Sequence, residues 1–387
     1  MPRGRVSPTL ETLTDRVYSD LVRKAKGELA PLHVGDTYKE PIVAARAESQ
    51  RSAEHPRLHN YAPVQGIPSL LDAIVERERA RTGISLDRAC LQVMSGATSG
   101  LSVVLNALLD PGEEVLLPSP FWPLIRGIIA SRGAVPVQIP FYDRLSDPAF
   151  DPERALEEAV TERTAALYLN TPNNPTGIVL PAPVVEAALR VAARHDLWIV
   201  CDEAYEDLYF TPTRPASIWA HEGARERAIV SHTLSKSFGL AGARVGYVHG
   251  PEEAMRGIRA LQTYQTYCAP RPMQVAAVAA LREGAAFTAE CRVDYARSGR
   301  LAAARLGVAE PEGGTFLFFD ASPYLRAGER TSLPFLERCL ERGVLLTPGA
   351  ACGEHYATWV RLCFSSLPTA ALQEALDRIA PLLVEPS

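Results

Sequence analysis

Between about residues 67 and 250 the chain alternates two hydrophobic periods. Pro68 to Arg81 carries apolar positions at helical spacing, with Pro at its start and Gly83 just past its end, and predicts a helix. Leu91–Met94 predicts a short strand that runs into Ser95–Gly100 (SGATSG) and a helical stretch, Leu101–Leu109, stopped by Asp110-Pro111-Gly112. Glu114–Leu117 and Val135–Ile139 read as strands around a helix over Phe121–Ser131. Ala165–Leu169, Leu197–Cys201 and Ala228–His232 are further apolar, β-branched runs, with an amphipathic helix at Val184–His195 between the first two. Strands apolar on both faces, alternating with helices, predict an α/β fold with a mostly parallel sheet covered by helices. Ligands of such sheets sit beyond the carboxyl ends of the strands.

After about residue 290 the pattern changes. Helical signals at Thr288–Leu306, Leu333–Arg342 and Thr369–Leu383 alternate with strand signals at Phe316–Phe319, Val344–Thr347 and Trp359–Phe364. This predicts a smaller α+β domain over 291–387, a large domain over 41–290, and an N-terminal segment, 1–40, packing with the small domain through a helix at Thr9–Lys26. The two domains are expected to meet over a cleft.

Composition narrows the function. Apolar residues make up 47% and charged residues 22% of the 387, which excludes disorder as the main state. The net charge of −5 argues against nucleic acid held by general electrostatics. No run approaches a membrane span, and the start, MPRGRVSPTLETLTDR, has no apolar core for a secretory signal. The seven cysteines never form CxxC, and the eight histidines form no HxxxH or HExxH pair on a helix, so a metal site has no support and a reducing cytoplasm fits.

The basic set is almost all arginine; only Lys24, Lys26, Lys39 and Lys236 are lysines. An amine can lose its proton and add to a carbonyl, which a guanidinium cannot. The first three read as solvated residues near the N-terminus. Lys236 lies just past a predicted strand, in SHTLSKSFGLAGARVG, eight residues before Arg244. Two further strand ends carry chemistry. SGATSG is a small-residue turn into a helix, suited to phosphate or equally to tight packing. Asn170–Gly177 (NTPNNPTG) is followed by Asp202, a carboxylate ending the apolar strand LWIVC, which needs a cationic or hydrogen-bonding partner. An amine, a carboxylate, phenol and amide donors and a phosphate turn together match the needs of pyridoxal 5′-phosphate.

From LHVGD (Leu32–Asp36) through YAPVQGIPSLLDAI, DPGEEV, SPFW, NNPTG, DEAY and SKSFGLAGARVGY to WVRLCFS (Trp359–Ser365), the sequence resembles the class I/II aminotransferases, the aspartate aminotransferase-like group of fold-type I pyridoxal-phosphate enzymes. The resemblance implies a seven-stranded, mostly parallel sheet and pyridoxal 5′-phosphate as cofactor. By the same resemblance Lys236 is the amine that binds the cofactor's aldehyde and then moves protons. Asp202 partners the pyridine nitrogen, and Tyr205 and Asn174 donate to the ring oxygen. Gly96, Ala97, Thr98, Thr233 and Arg244 form the phosphate cup, Trp122 stacks on the ring, and Tyr61 reaches the phosphate from the partner subunit of a homodimer. Gly35 lies in a loop covering substrate, and Arg361 clamps the substrate α-carboxylate, with Asn174 beside it. His33 and Cys352 read as structural, and Tyr264, Tyr267 and Arg271 as surface or interface residues, although Arg271 could receive a second carboxylate.

The implied activity is transfer of an amino group between an L-amino acid and a 2-oxo acid in a ping-pong cycle. The same cofactor and fold also allow elimination or cyclisation. A transcriptional regulator with an aminotransferase-like domain would need a DNA-binding domain, for which the roughly 30 residues before Leu32 are short.

Overall fold

A computed structural model of the chain describes residues 21–24 and 26–384. Seven strands form one sheet in the order Leu91–Met94, Gly246–His249, Ala228–Thr233, Trp198–Asp202, Thr164–Asn170, Glu114–Ser119, Val135–Pro140. Gly246–His249 runs antiparallel to both neighbours, and every other pair is parallel. The parallel strands are apolar on both faces because helices cover both. One face packs Met94, Leu117, Tyr168 and Val200 against the helix Gly96–Leu108 and its neighbours. The other packs Leu116, Leu167, Leu169 and Ile199 against Ala182–Arg194 and Pro68–Thr82.

The expected strands and helices are present with shifted ends: the helix expected from Leu101 starts at Gly96, inside SGATSG, the one expected from Phe121 starts at Pro123, and the one expected to reach Leu383 stops at Ile379. Helix Pro68–Thr82 is stopped by Gly83 in the left-handed conformation, which a Cβ would strain. Three features differ from the sequence reading. Gly246–His249 is an interior strand, second from the edge of the sheet, too short and too glycine-flanked to announce itself. The run Val344–Thr347 is broken into two two-residue strands, one of which pairs with Ala30–Pro31. Lys39 is no solvated lysine: its side chain is 14% exposed and it pairs with Glu290 and, at 2.7 Å, with Asp294.

A separate core gathers Phe316, Phe319, Phe335, Val360, Leu362, Leu372 and Ile379 around a three-stranded antiparallel sheet, in the order Thr347–Pro348, Trp359–Cys363, Phe316–Asp320. Leu21, Ala30 and Leu32 join this core from the N-terminal side. Of the expected helix Thr9–Lys26, Leu21–Lys24 is helical, and residues 9–20 lie outside the described residues. The strap from Leu32 to Lys39 is tied to this layer, since Tyr38 N donates to Ser365 O, and Ser365 Oγ donates to Asp36 O. It crosses in front of the carboxyl edge of the large sheet.

Candidate active site

Parallel strands deliver their C-terminal residues to one edge, and the single antiparallel strand begins there. Met94, Ser119, Asn170, Asp202 and Thr233 all end strands at this edge, and Arg244 lies two residues before Gly246 opens the reversed one. The chain turns outward from Glu114–Ser119 to Val135–Pro140 and then continues from Thr164–Asn170 in the opposite direction, which leaves a crevice at the edge. Gly35, Ala97, Thr98, Trp122, Asn174, Asp202, Tyr205, Thr233, Lys236, Arg244 and Arg361 line one cavity of about 230 Å³ there. Gly96 adjoins it: its φ is +81°, and a Cβ on it would run into the Arg244 guanidinium. Tyr61 is not brought to this cavity. It is 79% exposed, with its ring edge-on to Tyr267 at 5.0 Å.

Lys236 donates from Nζ to the carbonyl of Gly35 on the strap. Burial lowers its pKa, and the positive charges of Arg244 and Arg361 add to that effect against the opposing Cys363 and Asp36. Asp202 is buried, and burial raises its pKa to about 6 despite the bonds its carboxylate accepts from Ala204 N and the Tyr168 phenol, each 3.1 Å. Burial, with Asp202 nearby, also raises Tyr205, whose hydroxyl accepts from Asn174 Nδ2 at 3.3 Å.

Arg361 is 1% exposed in the middle strand of the small sheet. Its Nη1 donates to Asn174 Oδ1 at 3.1 Å and its Nη2 to His33 O at 3.0 Å, and its guanidinium lies 4.4 Å from the Phe316 ring centroid. The plane of the fork is therefore fixed before anything binds. At the other end, helix Gly96–Leu108 points its unsatisfied N-terminal amides at the cavity, beside Thr98, Arg244 and the linked hydroxyls of Thr233 and Ser235, 2.8 Å apart. An anion-binding end, a buried carboxylate, a depressed amine and a buried arginine thus share one crevice. The glycine-dependent approach of Arg244 to the helix start and the buried Asp202 carboxylate, which has no ion-pair partner among the described residues, fit pyridoxal phosphate.

His33 contributes through its carbonyl, and its ring is held neutral because burial, then Arg361, lowers its pKa to about 4. Cys352 is buried away from the cavity lining, and its carbonyl accepts from Phe121 N at 2.9 Å. Arg271 lines a different cavity, about 650 Å³, with Glu48, His55 and Pro68, and donates to Tyr61 O. Sequence reasoning missed Ser235, Phe316, Val34 and Leu124 in the lining. It also missed Asn170, whose side chain donates to Asp202 O at 2.9 Å and accepts from Asn174 N at 2.7 Å, joining two site segments. Its place as the last residue of a strand before NNPTG was the available signal.

A carboxyl that ionises near 3.9 in the unfolded chain and near 6 here keeps its proton longer in the native state. The native state therefore binds more protons between those values, and Asp202 costs stability progressively as pH rises from about 4 to 6, with no further loss above. In cofactor-free protein, Asp202→Asn should gain on wild type by about 2–3 kcal/mol between pH 4 and 7. Denaturant unfolding at a series of pH values checks this, and a pH-independent difference would contradict it.

The sequence model of the family "Aminotransferase class I and II" matches residues 28–379. The chain is 33% identical over 385 residues to an aspartate/prephenate aminotransferase of Thermus thermophilus, covering 94% of this chain and 91% of that protein. It is 32% identical to an arginine–pyruvate transaminase of Pseudomonas aeruginosa, covering 94% and 92%. Among solved structures it superposes on a Thermus thermophilus aspartate aminotransferase mutant with a TM-score of 0.89 at 28% identity, covering 98% and 99%. N-succinyldiaminopimelate aminotransferase from Mycobacterium tuberculosis gives 0.88 at 29%, covering 98% and 100%. These names describe amino-group transfer, which leaves elimination and cyclisation without support. The chain belongs to the class I and II aminotransferases and is a pyridoxal-phosphate-dependent enzyme that moves an amino group between an amino acid and a 2-oxo acid.

Proposed function

We propose that Lys236 is the catalytic amine of this aminotransferase, working with Asp202, Tyr205 and Arg361. The observation that carries the reading is the convergence of these four side chains on one cavity, with Lys236 the lysine that burial and two arginines make less basic. Pyridoxal phosphate bound there supplies an electrophilic aldehyde and an electron-accepting ring. Gly96, Ala97, Thr98, Thr233 and Arg244 hold its phosphate, and Trp122 flanks the ring. Asp202 would hold the ring nitrogen, and Asn174 and Tyr205 would hold the ring oxygen. Arg361 takes the substrate α-carboxylate between its two Nη atoms, and the strap at Gly35 keeps water off the reacting α-carbon. Lys236 Nζ, once released from the Gly35 carbonyl, would take the α-proton and hold it for return, which requires an amine neutral near working pH. Borohydride treatment of the cofactor-loaded enzyme should fix the cofactor to the peptide carrying Lys236, and Lys236→Ala should abolish both the adduct and transamination. An adduct on Lys24, Lys26 or Lys39 would contradict the assignment.

The division into an N-terminal segment 1–40, a large cofactor domain 41–290 and a small domain 291–387 belongs to the same reading, supported by the separate hydrophobic cores. So does a cytoplasmic enzyme: all seven cysteines are unpaired thiols, and no described helix is long and apolar enough to cross a membrane.

We further read the enzyme as a homodimer with shared sites. Tyr61 supports this by its exposure, its absence from the lining of its own cavity and its place against Tyr267, another exposed tyrosine. A phenol that reaches the partner's phosphate would contribute one charge-assisted hydrogen bond, so Tyr61→Phe should weaken cofactor binding by about 1.5–3 kcal/mol. Dilution to the monomer should lose cofactor and activity together, followed by light scattering alongside the assay. A fully active, cofactor-loaded monomer would contradict the shared site.

A further inference from the structure

Two donors reach the Asp202 carboxylate among the described residues: the backbone amide of Ala204 on Oδ1, and the phenol of Tyr168 on Oδ2, each 3.1 Å away. The amide belongs to the turn that follows Asp202 and comes with the backbone. Tyr168 is a separate choice of side chain. It lies on the neighbouring strand Thr164–Asn170, level with Val200, and both pack on the face covered by helix Gly96–Leu108. Asp202 is two residues beyond Val200, so its side chain projects to that same face, and the Tyr168 ring spans the step between them. The rest of Tyr168 is sealed in apolar contacts, and among the described residues its hydroxyl bonds Asp202. Burial raises its pKa well above the ordinary phenol, so it stays a neutral donor.

We propose that Tyr168 is a positioning residue for transamination: its phenol holds Asp202 as the ionised, less basic carboxylate that leaves the cofactor's ring nitrogen protonated. The proposal rests on the reading of Asp202 as the partner of that nitrogen. A donor aimed at a carboxylate stabilises its charge and lowers its proton affinity. Where a carboxylate and a pyridine nitrogen share one proton, the proton sits on the more basic of the two. Without the Tyr168 bond, Asp202 becomes the stronger base and draws the proton off the ring, which then accepts electrons from the α-carbon less readily.

The other titratable groups around Asp202 are Tyr142, Cys201, Glu203, Tyr205 and His232; Cys201 is kept a neutral thiol by burial, and each of the others is paired elsewhere. Tyr142 donates to Asn170 O, and Glu203 accepts from Arg81, Ser217 and the Ile218 amide. Tyr205 is joined to Asn174, and His232 lies 2.7 Å from Glu206. None of them replaces the Tyr168 donor.

The test is the ¹⁵N resonance of the ring nitrogen in holoenzyme reconstituted with ring-labelled pyridoxal phosphate, read beside the rate at which a deuterated substrate loses its α-label. In wild type the resonance should be that of a protonated pyridine. Tyr168→Phe keeps the ring and its packing, and should move the resonance toward the unprotonated position and slow α-exchange about 10–100-fold. In an Asp202→Asn background the same substitution should change neither readout by more than about twofold, because the bond it removes acts through the carboxylate. A Tyr168→Phe enzyme with a protonated ring and wild-type exchange would overturn the proposal. Equal slowing in both backgrounds would also overturn it, since that is the signature of a merely structural role. If Asp202→Asn alone left the ring protonated, the underlying reading of Asp202 would fall first. Should Tyr168→Phe not fold, Tyr168→Met supplies the same two readouts on the same apolar face.

Discussion

An amine placed where water cannot solvate its charge, with two guanidinium groups nearby, loses affinity for its proton. Lys236 is half-buried in the crevice, where burial, with Arg244 and Arg361 adding to it and Cys363 and Asp36 opposing, lowers its proton affinity. The two arginines come from different layers, one from the loop before the reversed strand of the large sheet and the other from the middle strand of the small sheet. Burial is the main cause of the lowered proton affinity. The strap that crosses the cavity binds the same amine through the Gly35 carbonyl while fastened to the small layer at Asp36, Tyr38 and Lys39. The freedom of the Lys236 amine and the position of the strap are coupled by that one contact.

The segment Asp202-Glu203-Ala204-Tyr205-Glu206-Asp207 divides its side chains between two tasks. Asp202 and Tyr205 line the cavity, while Glu203, Glu206 and Asp207 turn to arginines beneath it. Arg77 bonds Glu206 and Asp207 at 2.6 Å each, Arg81 bonds Glu203 and Glu78 at 2.8 Å, and Arg214 bonds Asp207 at 3.1 Å. Both Arg77 and Arg81 lie on helix Pro68–Thr82, the helix that follows Tyr61. Buried ion pairs of this kind are poor sources of net stability and better at selecting one arrangement. Here the arrangement selected is the register of the turn that aims Asp202 and Tyr205.

Much of this was legible in the sequence for physical reasons. Strands sealed by helices on both sides must be apolar, so Leu91–Met94, Ala165–Leu169 and Ala228–His232 stood out as runs. Lys236 stood out because so few lysines surround it, and Asp202 because a carboxylate closing an apolar strand needs a reason. Arg361 did not stand out by chemistry, since one arginine in so arginine-rich a chain carries no signal until the small sheet buries it on Phe316; the family resemblance supplied it. Tyr168 was invisible because a tyrosine inside ALYLN reads as core. Gly246–His249 was hidden because two glycines flank a four-residue strand. Lys39 was misread because its partners, Glu290 and Asp294, are some 250 residues away in sequence.

The fold makes Lys236 a weaker base than an ordinary lysine before any cofactor is present. Competitive acylation of the cofactor-free protein with a limiting reagent across pH, read lysine by lysine by mass spectrometry, measures it directly. Lys24, 60% exposed on the surface, is the internal reference. Lys236 should reach half-maximal reactivity at a clearly lower pH than Lys24 and below the ordinary lysine value of about 10.4. Reactivity rising at the same pH as Lys24, or a higher one, would contradict the account.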